Sequence, residues 1–318
     1  MRNALLFVLT LLGASLCYGA EVYPSKPVRV IVPFAPGAAT DVTARLITKQ
    51  LSERFGQSFI VDNRTGAGGV MGINIVATAS PDGYTLLFAG NSLATAAAVQ
   101  KTPYDPVKDF DAIGRVAFAP LVIVVRANFP AGSLQEFVTY AKANPGKINF
   151  GSAGVGSGQH LVTELFGLTI GGIKMEAIHY KGTAPSLIDL IGGRIDFVIT
   201  TMASIRGTGG AERLPRLAYA SEQRVPTDPD VPTMREAGFD LVAGVWWGML
   251  APHGLPSKIR TRLNAEINKI VAEPAFAKFL DTIAVAPAPS TPQELQMLVA
   301  KDVQRWTATA ERAGVREH

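Results

Sequence analysis

Two segments of this 318-residue chain concentrate residues able to hold an anion. The first is Phe34-Ala35-Pro36-Gly37-Ala38-Ala39-Thr40-Asp41. Pro36-Gly37 makes a turn, the small residues leave the backbone accessible, and Thr40 or Asp41 is placed to cap the helix that follows. Such a loop offers free backbone N–H groups and the positive end of a helix dipole. The same residues also read as an ordinary strand-to-helix turn with Asp41 only a cap, and the loop alone does not separate the two readings. The second segment is Gly151-Ser152-Ala153-Gly154-Val155-Gly156-Ser157-Gly158-Gln159-His160. Its glycines let main chain approach a ligand closely. Ser157 is placed as a helix N-cap, and His160 falls in the first helical turn. A carboxylate between two such helix N-termini can accept charge-assisted hydrogen bonds worth about 1.5–3 kcal/mol each. Two or three of these, with apolar contact, reach the ~8 kcal/mol of micromolar affinity. Asn91 and Ser92, Thr183 and Thr200 follow or end predicted strands and join the same set. Phe34 supplies an apolar wall. Of Trp246 and Trp247, adjacent in a late strand, one belongs in the core and the other can line the cleft.

Other chemistries find no support. Ser157 and His160, three apart at a helix start, suggest a hydrolase pair, but no acid partner stands at a recognised spacing and no G-x-S-x-G elbow is present. Gly66-Ala67-Gly68-Gly69-Val70-Met71-Gly72 resembles a dinucleotide fingerprint but has Met71 where the third glycine belongs. There is no Walker loop and no H-E-x-x-H. The four histidines are scattered. No catalytic residue, metal site or cofactor is expected.

Lys and Arg total 30 against 26 Asp and Glu, a net charge of +4. The basic residues form no stripe with interleaved aromatics, so nucleic acid is not an expected partner. At the N-terminus, Arg2, an apolar run over 5–12, and Gly19-Ala20 read as a secretory signal over residues 1–20, cleaved after Gly19 or Ala20. The run is too short to span a bilayer. The one cysteine, Cys17, lies in that leader, where Leu16 fits poorly with a lipid-anchor signal. The mature chain then has no disulfide and no thiolate chemistry.

These loops need strands and helices to hold them. Apolar runs at 28–34, 58–63 and 84–88 alternate with helical patterns at 42–55 and 72–79. This rhythm predicts a parallel sheet covered by helices on both faces. A strongly apolar strand at 121–125 follows, and the rhythm restarts. It has helices at 133–143, 160–168 and 185–191, and strands at 147–151, 174–180 and 195–200. Ser133 with Glu136 makes a capping-box pattern. A short strand at 217–220, a strand at 245–251 and helices at 256–271, 274–280 and 292–313 close the chain. The expectation is an α/β protein of two doubly wound lobes joined by crossing strands near 121–125 and 217–222. Residues 21–122 and 223–318 form one lobe and 123–222 the other. Ligands of open α/β sheets sit beyond the carboxyl ends of the strands, which is where both loops fall.

Several stretches carry a family resemblance in order along the chain. They are Tyr23-Pro24-Ser25-Lys26-Pro27-Val28-Arg29, Pro36-Gly37-Ala38-Ala39-Thr40-Asp41 with Ala44-Arg45, and Val61-Asp62-Asn63-Arg64-Thr65-Gly66-Ala67-Gly68-Gly69. Next come Pro81-Asp82-Gly83-Tyr84-Thr85-Leu86, the loop from Gly151 to Ser157 with His160, and Tyr180-Lys181-Gly182. Asp228-Pro229-Asp230-Val231-Pro232-Thr233 and Glu236-Ala237-Gly238 complete the set. Together they resemble the Bug-type periplasmic receptors of the tripartite tricarboxylate transporters. The resemblance implies a type II periplasmic-binding-protein fold that closes by a hinge around its ligand. It implies small carboxylate ligands: di- and tricarboxylic acids, aromatic acids and some acidic amino acids. It further implies a periplasmic, monomeric protein delivering to a membrane permease of one large and one small integral subunit, or else sensing for a signalling partner. By the same resemblance Gly37, Ala39, Thr40 and Asp41 hold ligand through backbone and ordered water, with Ala38 where a glycine is usual. Ser152, Gly154, Gly156, Ser157 and His160 make the second contact. His179 stands where the family often has proline.

Overall fold

The computed structural model describes residues 23–37 and 39–316, so the expected leader, Cys17 and Ala38 lie outside the described residues. The chain opens with β1 (Val28–Val32), α1 (Ala39–Phe55) and β2 (Phe59–Asn63). A 3-10 turn at Ala67–Gly69 leads into α2 (Val70–Ala77), followed by β3 (Thr85–Gly90), α3 (Ser92–Val99) and the long β4 (Phe110–Val125). Then come α4 (Leu134–Ala143), β5 (Asn149–Ser152), α5 (Gly158–Thr169), β6 (Glu176–His179), α6 (Thr183–Ile191), β7 (Phe197–Thr201), α7 (Met202–Arg206) and β8 (Arg216–Tyr219). The chain ends with β9 (Gly244–Pro252), α8 (Ser257–Val271), α9 (Pro274–Thr282), β10 (Ala286–Pro287) and α10 (Pro292–Ala313). Among the described residues no helix is long and apolar enough to cross a membrane.

The strands run in the order β2-β1-β3-β9-β4-β7-β5-β6. β1 is parallel to β2 and β3, as the β-α-β rhythm predicts. The sheet is nonetheless mixed, which corrects the expectation of a parallel one. β9 returns from late in the sequence and lies antiparallel to both β3 and β4. β4 serves two sheets. Residues 110–120 pair with β9, from Phe110 opposite Pro252 to Pro120 opposite Gly244. Residues 121–125 pair with β7 and also with β8.

Alternation in the strands serves a core on each face. Val28, Val30 and Val32 turn toward Ala44, Ile47 and Leu51 of α1 and Leu263 and Ile267 of α8. Ile31 turns the other way, toward Ile73 and Val76 of α2 and Val299 of α10. In the second sheet Ile123, Phe150 and Phe197 pack with Phe137 of α4 and Phe166 of α5. Val122, Val124 and Val198 pack with Leu187 and Leu190 of α6. Trp306 and Ala310, late in α10, join the Phe150–Phe166 cluster, so this helix reaches from one sheet to the other.

Three further expectations shift. α1 begins at Ala39 rather than Val42, which takes Thr40 and Asp41 into its first turn instead of leaving them as caps. Ser133 does cap α4 by accepting from the Glu136 amide, but the Glu136 carboxylate reaches back to the Gly132 N–H at 2.7 Å, one residue before the cap. β8 does not carry the chain back to the first sheet. After it, residues 220–243 continue beside the second sheet, with Met234, Ala237 and Leu241 in the Phe150 cluster. The return comes where Leu121 N donates to Ala243 O, Ala243 N to Ala220 O and Ala220 N to Leu121 O.

Candidate functional site

The first loop is built around a carboxylate that faces inward. Asp41 is 2% exposed. Its Oδ2 accepts from Gly37 N at 2.9 Å and Arg45 Nε at 3.0 Å, and its Oδ1 from Asn63 Nδ2 at 2.9 Å. Asn63 Nδ2 also donates to Phe34 O, and Arg45 donates to Asn63 Oδ1. Burial pushes the Asp41 carboxyl up, but these hydrogen bonds outweigh it and hold it below the usual carboxylate range. Asp41 therefore fastens the loop and has its oxygens fully engaged there. Thr40 is likewise engaged, its Oγ1 accepting from Trp247 Nε1 at 2.8 Å. Neither tryptophan is open to solvent, at 3% for Trp246 and 2% for Trp247. Trp246 belongs wholly to the core, donating to Asp302 Oδ2 at 2.8 Å. Phe34 is half-buried, Ala39 opens α1, and Gly37 stands exposed with a φ of +81°, a left-handed conformation that favours glycine.

The second loop follows β5 as expected, and Ser157 caps α5 by accepting from the His160 amide at 3.2 Å. Gly156 is favoured by its left-handed backbone and packs close to α3. Its φ is +70°, and a methyl group there would sit 3.4 Å from Ala96 Cα of α3. Ser152 is fully buried, with Oγ 2.7 Å from His179 Nδ1 and 3.3 Å from the Gly154 amide. His160 is 3% exposed, and its Nδ1 accepts from Gly156 N at 3.3 Å. Desolvation, then the neighbouring His179, lower its pKa to about 4, so the ring is neutral at physiological pH.

These loops meet. A methyl on Gly69 would lie 3.6 Å from Phe34 Cζ, and one on Gly68 would lie 3.2 Å from Val155 O. The 3-10 turn thus touches the first loop on one side and the second on the other. At the end of β3, Gly90 lies so close to β9 that a methyl would stand 2.1 Å from Trp246 O. That approach delivers Asn91 and Ser92 to the junction. Asn91 Nδ2 donates to Gly244 O at 3.2 Å, and the same amide lies against Gly158 at the start of α5. The Ser92 and Thr95 hydroxyls are buried with no partner among the described residues. Thr183 and Thr200 are joined through Gln159, whose Nε2 donates to Thr200 Oγ1 at 2.8 Å and whose Oε1 accepts from Thr183 at 3.3 Å. Gln159 was not singled out from the sequence; its only signal is its place directly after Ser157 and Gly158 in the first helical turn.

The segments 34–41, 90–92, 151–160, 182–184 and 200–201 contain no Lys or Arg. The positive potential they offer comes from backbone amides and from the N-termini of α1, 17 residues long, and α5, 12 residues long. The arrangement suits a polar or anionic guest. It does not form a nucleophile: Ser157 Oγ faces a backbone amide, while the His160 ring is turned to Gly156.

Two sheets sharing a strand, with the loops before α1 and α5 bridged by one turn, make the architecture of a periplasmic binding protein. Residues 43–315 match the family described as tripartite tricarboxylate transporter family receptor (TctC), and the chain belongs to that family. It is 34% identical over 308 residues to Protein BugT of Bordetella pertussis, covering 96% of this chain and 94% of that one. Among solved structures, the Rhodopseudomonas palustris protein Rpa4515 with adipate superposes with a TM-score of 0.85 at 34% identity, covering 92% of this chain and 98% of that one. MatC (Rpa3494) from the same organism, with bound malate, gives 0.81 at 30% identity, covering 90% and 99%.

Proposed function

We propose that this chain is an exported solute-binding receptor, not an enzyme, that captures a small carboxylate between the loops that precede α1 and α5. The observation that carries the reading is the bridging of those loops by the turn at 67–69, with segments of amides and hydroxyls that contain no Lys or Arg of their own, Arg45 being bound to Asp41. Adipate in Rpa4515 and malate in MatC make linear dicarboxylates the first ligands to try. Gly37, Ala39 and the start of α1 would face one end of the guest. Asn91, Ser92, Gly154, Gly156 and Ser157 would face the other, with Thr183 and Thr200 behind Gln159. Ser152 and His160 support the second loop from beneath, and Thr40 and Asp41 support the first. Ala38, the departure from the family's glycine, belongs to the same loop. The lobes divide where the strands change sheet, 23–120 with 244–316 and 121–243, and the second boundary falls later than 222 because Met234, Ala237 and Leu241 pack with the second sheet. As a monomer the receptor hands its ligand to a membrane permease of large and small integral subunits.

A thermal-shift panel of mono-, di- and tricarboxylic and aromatic acids tests this. An acid at ~100 times its Kd stabilises the protein by about 2.7 kcal/mol. At least one dicarboxylate should do so, and Ser157→Ala should weaken the shift. A flat response across the whole panel, or the same shift in the variant, refutes the site.

A further inference from the structure

We propose that His160 is the positioning residue of the second loop: its neutral imidazole latches the Gly156 amide and so sets the direction in which the loop's remaining N–H groups face the guest. This rests on the capture reading above. The geometry is one-sided. A backbone N–H can only donate, so the bond from Gly156 N at 3.3 Å requires an unprotonated Nδ1. The ring proton then belongs on Nε2, which faces Glu164 Oε1 at 3.8 Å, one helical turn along α5. That is the tautomer a carboxyl at this position favours. Phe150 lies nearly parallel to the ring with centroids 6.4 Å apart, and His179 meets it edge-on at 4.8 Å. His179 in turn holds Ser152, so the two imidazoles grip the loop at both ends, residues 152 and 156.

The surroundings protect the neutral state. The ionisable groups facing His160 are Glu164 on its own helix and His179 from β6. Of the other elements against α5, α3, β5 and β7 contain no ionisable residue, while α4, which meets α5 at Phe137 and Phe166, carries Glu136 bonded to Gly132 N and Lys142 beside Gly171. On α10 the buried Asp302 is engaged by Trp246, and the exposed Arg305 donates to Val242 O. Burial, with a second imidazole beside it, keeps His160 unprotonated down to about pH 4. Glu164, lifted to about 7 by burial, contributes little negative charge that would draw a proton onto the ring below neutrality.

The test compares wild type, His160→Ala and His160→Asn, since an asparagine carbonyl can stand near the place of Nδ1. Two readouts are needed: the Gly156 amide resonance by heteronuclear NMR without ligand, and adipate and malate affinity by calorimetry at pH 7.5. The Gly156 resonance should move in His160→Ala and largely return in His160→Asn. In wild type it should show a step near pH 4, and in His160→Asn that step should be absent. For whichever acid binds, His160→Ala should weaken affinity about tenfold, the equivalent of one lost hydrogen bond, with a partial recovery in His160→Asn. An unmoved Gly156 resonance in His160→Ala overturns the latch whether or not ligand binds. Equal affinities in wild type and His160→Ala overturn the positioning role. Failure of wild type to bind either acid while the resonance behaves as stated counts against the capture reading and leaves the latch standing.

Discussion

Glu164 offers a quantitative check on the chemistry beneath the second loop. Its side chain is 20% exposed, and burial raises its pKa from the usual 4.5 to about 7. A carboxyl raised in this way binds protons more readily folded than unfolded, so stability falls as pH climbs through the window from 4.5 to 7. At about 1.36 kcal/mol per decade, that gap sets a ceiling near 3.4 kcal/mol once both states are ionised. By pH 5 the unfolded chain has already lost most of this proton, so roughly 0.8 kcal/mol of the loss is in place there. Between pH 5 and pH 8 the wild type should therefore lose about 2.5 kcal/mol through this one group. Glu164→Gln keeps the shape and removes the titration. Urea unfolding of both proteins at pH 5, 6, 7 and 8 gives the comparison, since every other group titrates alike in the two. The variant should gain on the wild type steadily with pH and be the more stable of the two at pH 8. If the two stability curves run parallel over that range, the account of a buried, proton-holding Glu164 is wrong.

Asp41→Ala should cost about 2–3 kcal/mol in urea unfolding, because Gly37 N, Asn63 Nδ2 and Arg45 all lose their acceptor. The same change should weaken adipate or malate capture in calorimetry by loosening the first loop. Because the Asp41 carboxyl is held below its ordinary value, its stabilisation is complete above about pH 4 and fades as pH drops through the lowered value. The difference between wild type and Asp41→Asn should accordingly stay level from pH 5 to 8 and narrow only in stronger acid. Gly90→Ala places a methyl 2.1 Å from Trp246 O, which forces β3 and β9 apart. It should lose more than ~3 kcal/mol or fail to fold, and a melting temperature within a degree or two of wild type would contradict the close approach.

Much of this molecule is legible in its sequence because its devices are local. Ser157 caps the helix it precedes, and both loops fall at strand ends. What escaped depends on distant partners. α3 reads Ser-Leu-Ala-Thr-Ala-Ala-Ala-Val, apolar on nearly every side and buried almost throughout, so it shows no helical stripe. The first two-thirds of β4 carry Gly114, Arg115 and Pro120, which interrupt the apolar run that marks its second part. Thr40 and Asp41 look like caps until Trp247, Asn63 and Arg45 are brought to them, and Trp247 lies 207 positions along the chain from Thr40. Gln159 draws attention only once Thr183 and Thr200 stand on either side of it.

The double service of β4 has a consequence for how the molecule comes apart. The same sixteen residues complete the hydrogen bonding of β9 on one side of Pro120 and of β7 and β8 on the other. A chain ending at that proline would lack β9, the strand that lies between β3 and β4. Because one continuous strand carries both sets of pairings, unfolding of either sheet should loosen the end of β4 that serves the other.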